Sequence, residues 1–387
     1  MSTIYDELGV SPVLNAHGNR TLLGGGTPSV AVRTLMAQAD EYYADMGDLM
    51  DTVGEKIADM LGVEAALVTS GCSAALTVAA AACMTGDDLE KIERIPDVSG
   101  MRNEFIIQRQ LRIPYDRCMT ISGGTLVEVG DVDETRAEHI EAAIGPNTAG
   151  IHYLALGDFP GFQSQSKRDR PGALPIEEVI RIAHSHDLPV IVDAAGEVYP
   201  TDRLSKYIKM GADLVAYGAK YFGAVNSSGM LTGRKDLVAT ARKHSFIGFE
   251  SDAIRSFGRP MKVDRQEVIA VYAALREWLT MNHEDRLAAY ETRITTLRDR
   301  LQGITNIEMT EYPDGAPTDG LRITVDADGL GKTWADVVGE LRSGNPSIWV
   351  REDPAGGSFI VRMPTLKEGG EEIIAQRLRE ILQDRTG

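Results

Sequence analysis

The chain has 387 residues, 43% hydrophobic and 25% charged, with a formal net charge of −17. It is long enough for a large core plus a smaller one, and its acidic balance argues against a nucleic-acid or anionic-membrane surface, which would show a basic patch. No apolar run is long enough to span a bilayer, the first residues lack the features of a signal peptide, and Cys72, Cys83 and Cys118 have neither disulfide-framework nor metal spacing, so a reduced, cytoplasmic, metal-free protein is expected.

Residues 13–28 are glycine-rich, beginning Val13-Leu14-Asn15-Ala16-His17-Gly18, and read as an irregular arm. Helices are predicted over 30–43 and 49–61, the second stopping at Gly62. An alternation of strands and helices then begins. A strand over 65–69 turns through Ser70-Gly71-Cys72-Ser73 into an alanine-rich buried helix. Strands over 104–108 and 125–129 have a helix between them. A helix over 134–143 precedes a strand over 148–156. A helix over 176–186 leads into Val190-Ile191-Val192-Asp193, and one over 201–210 leads into Leu214-Val215-Ala216-Tyr217-Gly218-Ala219-Lys220. A short strand over 229–233 follows. Such alternation implies an α/β fold with a largely parallel sheet covered by helices on both faces.

Beyond Arg259-Pro260 the pattern changes to helices over 264–279 and 284–301, then strands over 307–309, 321–325 and 348–351. A turn at Pro354-Ala355-Gly356-Gly357 leads into a strand over 359–362, and a last helix covers 371–382. The expected organisation is an N-terminal arm and helix over 1–45, a large domain over 46–260 and a smaller α+β domain over 261–387.

Lys220 and Asp193 each end an apolar run, 27 residues apart (220 − 193). A lysine there is costly to bury, and desolvation lowers its pKa toward the range that suits Schiff-base chemistry. A lysine snorkelling at a strand end is the plainer alternative. Asp193 suits a partner for a cationic cofactor nitrogen, or equally a helix cap or metal ligand. Pyridoxal phosphate needs both groups, an amine for its aldehyde and a carboxylate for its ring nitrogen.

Ser70, Gly71, Cys72 and Ser73 form a strand–turn–helix start whose free N–H groups suit a phosphate, or an ordinary N-cap. Ser227 and Ser228 lie in a hydroxyl-rich turn that reads as a phosphate contact, across a dimer, or as a surface turn. Arg112, Arg351 and Arg362 are candidates for an anionic substrate group, against a solvated or structural reading for each alone. His17, in the glycine-rich arm, is a candidate catalytic or substrate-contacting residue, with Asn15 beside it. His184 and His186 read as surface residues.

Together, the segments 15–25, 53–58, 64–75, 112–114, 126–130 and 192–233 resemble fold-type I pyridoxal phosphate enzymes of the branch containing seryl-tRNA(Sec) selenium transferase and D-glucosaminate-6-phosphate ammonia-lyase. The resemblance implies Lys220 as the Schiff-base lysine, Asp193 as the ring-nitrogen partner, and Ser70 to Ser73 around the phosphate. It also places Tyr217 in the cofactor shell, where relatives carry a serine. Leu111 stands where lyase-like relatives often carry a histidine, and Ala219 where they carry a glycine. The transferase's extra N-terminal tRNA domain is expected to be absent, which with the acidic charge argues against tRNA. The expected activity is a β-eliminating ammonia-lyase or dehydratase acting on a small amino acid or amino sugar acid. Racemase, aldolase or aminotransferase chemistry, or a non-catalytic binding role, are the alternatives. A homodimer or larger homo-oligomer is the assembly the family implies.

Overall fold

The computed structural model describes residues 4–155, 172–313 and 317–383. The described strands are β1 Val13–Ala16, β2 Ala65–Thr69, β3 Glu104–Gln108, β4 Thr125–Val129, β5 Thr148–Leu154, β6 Val190–Asp193, β7 Leu214–Gly218, β8 Gly229–Gly233, β9 Ile307–Tyr312, β10 Gly320–Val325, β11 Ser347–Asp353 and β12 Ser358–Arg362. They divide between two compact units. One comprises Thr27–Asp158 with Gln165–Thr280, the other Met1–Gly26 with Met281–Gly387.

The larger unit holds a seven-stranded sheet in the order β2-β8-β7-β6-β5-β3-β4. Every neighbouring pair is parallel except those made by β8, which runs antiparallel to β2 and β7. β6 and β7 are buried along their whole length, as strands covered on both faces must be. Helix Gly71–Thr85 is apolar nearly all round and packs across β6, β7 and β8, which explains its alanine content. Small side chains let it sit close to the sheet. This is the expected α/β architecture. The expected helix between β3 and β4 is instead two 3-10 turns, Arg109–Leu111 and Pro114–Thr120, separated at Ile113, which is extended before Pro114. The predicted strand over 148–156 is observed to Leu154, and its last residue lies outside the described residues.

The smaller unit holds a sheet in the order β1-β11-β12-β10-β9. Here the arm expectation is corrected: Val13–Ala16 is a strand, parallel to β11, with Asn15 opposite Trp349 and Ala16 opposite Val350. The division also falls at Thr280/Met281 and not near Pro260. Helix Arg265–Thr280 packs on helices Val30–Asp40 and Met46–Leu61, and the Ser29 hydroxyl donates to Glu277 at 2.7 Å. These contacts draw residues 27–45 and 261–280 into the larger unit.

His244 is fully buried, with Nε2 2.8 Å from Thr85 Oγ1. Burial lowers its pKa from 6.5 to about 4. The folded state therefore binds fewer protons than the unfolded state between those values, and this contribution is present above about pH 6.5 and lost as pH falls through 4. Thermal melts should show stability falling from pH 7 to pH 4.5, by up to about 3 kcal/mol from this residue. His244→Gln should flatten that fall, and an unchanged slope would sink the assignment.

Candidate active site

The carboxyl ends of β2, β6 and β7 lie at the same edge of the large sheet, because β2 and β7 both oppose β8 while β6 runs with β7. That edge is where open α/β sheets bind ligands. β6 ends on Asp193, β7 continues into a 3-10 turn Ala219–Phe222 carrying Lys220, and β2 leads through Ser70 into helix Gly71–Thr85. The three candidate elements, scattered over 150 residues of sequence (220 − 70), meet through strand order alone.

Asp193 is only 4% exposed. Its Oδ1 accepts the Ala195 N–H at 3.1 Å and the Cys72 thiol at 3.5 Å, and it makes no ion pair with any described residue. A buried carboxylate left without a cation is strongly disfavoured. Burial and the neighbouring Asp193 push the Cys72 thiol well above its ordinary range, so it stays protonated and donates. Lys220 Nζ donates to Asn226 Oδ1 at 3.3 Å and lies 5.2 Å from the Tyr221 ring centroid. Burial lowers its pKa below the ordinary lysine range.

Ser70 occupies the N-cap of the alanine-rich helix without capping it, since its hydroxyl donates to the Met261 carbonyl at 3.2 Å. The first-turn N–H groups thus lack an N-cap side-chain partner, the arrangement that favours an anion. Gly71 has φ +88°, a conformation open chiefly to glycine. Gly229 of β8 permits the close approach beneath it: a Cβ there would stand 2.4 Å from the Gly71 carbonyl carbon and 2.6 Å from Cys72 N. A carboxylate needing a cation, a lysine of lowered pKa and an open helix N-terminus fit the ring nitrogen, aldehyde and phosphate of pyridoxal phosphate.

Other expected contacts are placed differently. Tyr217 is completely buried and its hydroxyl donates to the Arg203 carbonyl at 3.0 Å. Ala216, opposite Asp193 in register, lies on the other face of β7 from Tyr217, so the Tyr217 side chain is directed away from the face that Asp193 shares. Ser228 is buried and donates to the Val225 carbonyl at 2.8 Å, while the exposed Ser227 donates to Glu267. Ser73 is exposed beside the open helix start. Arg112 is held by Asp116 at 2.5 Å and Glu128 at 2.7 Å.

The smaller unit gathers a second cluster. Asn15 Oδ1 accepts the His17 and Gly18 N–H groups at 3.0 and 3.3 Å, so its side chain shapes the turn that presents His17. Arg20 Nη1 lies 3.0 Å from His17 Nε2. A guanidinium only donates, so Nε2 must be the acceptor and His17 is held neutral in one tautomer. Burial, then Arg20, Arg351 and Arg362, lower the His17 pKa to about 4. Arg362 is clamped by both oxygens of Asp319, with Nε donating at 3.2 Å. Arg351 is half-buried and makes no ion pair with any described residue. The Cys72–Asp193 contact, the bond from Lys220 to Asn226 and the part played by Arg20 are not legible in the sequence. Only Arg20 carried a local signal, lying three residues after His17.

These features define a fold-type I pyridoxal phosphate-dependent enzyme. The chain belongs to the SelA family: the model described as L-seryl-tRNA selenium transferase matches residues 37–302. It is 34% identical to a Streptomyces 5'-C-glycyluridine monooxygenase-decarboxylase over 99% of this chain and 93% of that protein. It is 29% identical to D-glucosaminate-6-phosphate ammonia lyase of Salmonella typhimurium over 98% of both chains. A solved structure of D-glucosaminate-6-phosphate ammonia-lyase superposes with a TM-score of 0.84 at 29% identity, covering 99% of this chain and 98% of that one.

Burial also raises the Cys83 and Cys118 thiols above their ordinary range. All three thiols should therefore react slowly with a disulfide reagent at neutral pH in the native protein and rapidly after denaturation. Fast modification of Cys72 in native protein would contradict the protonated Cys72–Asp193 contact.

Proposed function

We propose that this chain is a pyridoxal phosphate-dependent lyase that removes ammonia from an amino acid or amino sugar acid bearing a β-hydroxyl. The observation that carries this reading is the placement of Lys220 and Asp193 at adjacent strand ends beside the open start of helix Gly71–Thr85. The full-length likeness to an ammonia lyase supports it. When bound, pyridoxal phosphate supplies an aldehyde for the substrate amine and a ring that withdraws electrons from the adjacent carbon.

Asp193 balances the positive charge of the ring nitrogen, and the Cys72 thiol and Ala195 N–H hold its carboxylate in place. Gly71, Cys72 and Ser73 offer backbone N–H groups to the phosphate. Lys220 Nζ, its pKa lowered by burial, takes the proton from the carbon bearing the amine. The β-hydroxyl then leaves as water, and one water returns on hydrolysis, so the net products are a 2-oxo acid and ammonia. Within the smaller unit Arg351 has no carboxylate partner among the described residues and is the candidate for an anionic group, whereas Arg362 is occupied by Asp319. His17 is a positioning residue for Arg20 and not a proton carrier, because its Nε2 lone pair is engaged.

Lys220→Ala should lower ammonia release by at least about 100-fold and remove the visible absorption of lysine-bound cofactor. Retained absorption would mean that another lysine carries the cofactor. A second reading, oxidative decarboxylation of an amino acid, is favoured by the monooxygenase-decarboxylase relative. Oxygen uptake with carbon dioxide release would select it, whereas ammonia and a 2-oxo acid formed without oxygen select the lyase.

We also read the protein as a cytoplasmic homodimer acting on a small molecule, with no nucleic acid or membrane partner. Among the described residues no helix is long and apolar enough to cross a membrane. Light scattering of the loaded enzyme should give at least twice the chain mass of 42.0 kDa, and a monomer mass would overturn that assembly.

A further inference from the structure

Lys220 and Asn226 sit on one closed loop of the larger unit. β7 and β8 run antiparallel with Gly218 opposite Gly229, and residues 219–228 connect them. The base of this connection is pinned, since the Ala219 N–H donates to the Ser228 carbonyl at 3.0 Å. The Ser228 N–H and hydroxyl both donate to the Val225 carbonyl, at 3.2 and 2.8 Å. On the other limb the Ala224 N–H donates to the Ala219 carbonyl at 3.1 Å. Gly223 turns the chain there with φ +98°, a conformation open chiefly to glycine. Ala219, Phe222, Ala224 and Ser228 are buried, so the backbone carrying Lys220 and Asn226 is held from both sides.

Across this frame the Lys220 amine donates to Asn226 Oδ1 at 3.3 Å. The Asn226 side chain makes no other hydrogen bond among the described residues. The bonds that shape the loop are backbone bonds and those of Ser228, so the Asn226 amide is not needed for them. Titratable groups around the amine come from four elements: Cys72 of helix Gly71–Thr85, Asp193 of β6, Tyr221 of the same turn and Glu267 of helix Arg265–Thr280. Asp193 is engaged by the Cys72 thiol and the Ala195 N–H, and Glu267 by the Ser227 hydroxyl and the Asp264 N–H. The group facing Nζ across the loop is thus an uncharged acceptor. A carboxylate in that place would favour the protonated ammonium. An amide oxygen accepts one N–H and adds no charge, which agrees with the lowering of the Lys220 pKa by burial. With one N–H committed to Oδ1, the lone pair of the neutral amine is directed away from Asn226.

We propose that Asn226 is a positioning residue for Lys220, its amide oxygen taking one N–H of the amine so that the lone pair is left for the cofactor aldehyde. The proposal rests on the reading of Lys220 as the lysine that holds pyridoxal phosphate, and deepens it by naming the group that orients that amine. Asparagine suits the role because it orients without supplying the charge that would keep a proton on Nζ.

The test follows capture of pyridoxal phosphate by the full chain freed of cofactor, read by visible absorption across a range of pH. Borohydride reduction and peptide mass mapping show which lysine is loaded. Asn226→Asp keeps the side-chain size and adds a charge. It should displace the pH profile of capture upward by at least about one unit, so that capture is slow at neutral pH and recovers in alkali. Asn226→Ala removes the acceptor, and capture should fall by about tenfold at every pH with no displacement. A role confined to the shape of the loop would slow both variants alike with undisplaced profiles, and that result overturns the proposal. Capture at the wild-type rate in Asn226→Ala overturns it too. Should Asn226→Asp capture no cofactor, the profile is read from reductive methylation of Lys220 in the cofactor-free chain, where the upward displacement is again expected and its absence is again fatal. Cofactor found on another lysine sinks the Lys220 assignment and this proposal with it. Cofactor on Lys220 with both variants behaving as the wild type sinks only the part given to Asn226.

Discussion

The carboxylate of Asp193 is buried at the end of β6 with one amide and one thiol as hydrogen-bond donors and no described cation. A charge so placed is unstable unless something positive completes it. The surrounding structure is organised to leave that position open. Helix Gly71–Thr85 brings a neutral thiol to Asp193 in place of a lysine or arginine. Gly229 lets the helix start press close to the sheet, and Lys220 emerges from the neighbouring strand with its amine turned to Asn226. Pyridoxal phosphate, when bound there, would bring a positive ring nitrogen to Asp193, with Lys220 as the amine for its aldehyde and the first-turn amides of helix Gly71–Thr85 for its phosphate.

Each unit treats its charges differently. In the larger unit the buried Asp193 carboxylate has no cation partner among the described residues and marks the proposed cofactor site. In the smaller unit Arg20 and Arg351 have no carboxylate partner among the described residues, inside a chain that is acidic overall. Net charge therefore says little about local recognition.

Several expected site residues turned out to be occupied by the protein itself. Arg112 is bound by Asp116 and Glu128, Arg362 by Asp319, Tyr217 by the Arg203 carbonyl and Ser228 by the Val225 carbonyl. Residue type and position suggested a ligand contact in every case. What decides is whether a donor or charge is already answered, and that depends on partners as far away as the 43 residues between Asp319 and Arg362.

The α/β alternation, the apolar runs ending on Asp193 and Lys220 and the small-residue turn at Ser70–Ser73 were legible because each is a local pattern. Periodicity, strand burial and turn chemistry act over a few residues. The cofactor followed from those patterns and the family resemblance. Strand order was not legible, and it alone brings Ser70, Asp193 and Lys220 to one edge. Nor was the pairing of Val13–Ala16 with β11, which turned an apparent arm into a strand and set His17 and Arg20 beside Trp349 and Arg351. Hydrogen bonds between segments over 300 residues apart leave no trace in local composition. The sequence by itself determined the class of fold and the cofactor, while only the tertiary structure decided which charges are spent within the protein and which remain to bind something else.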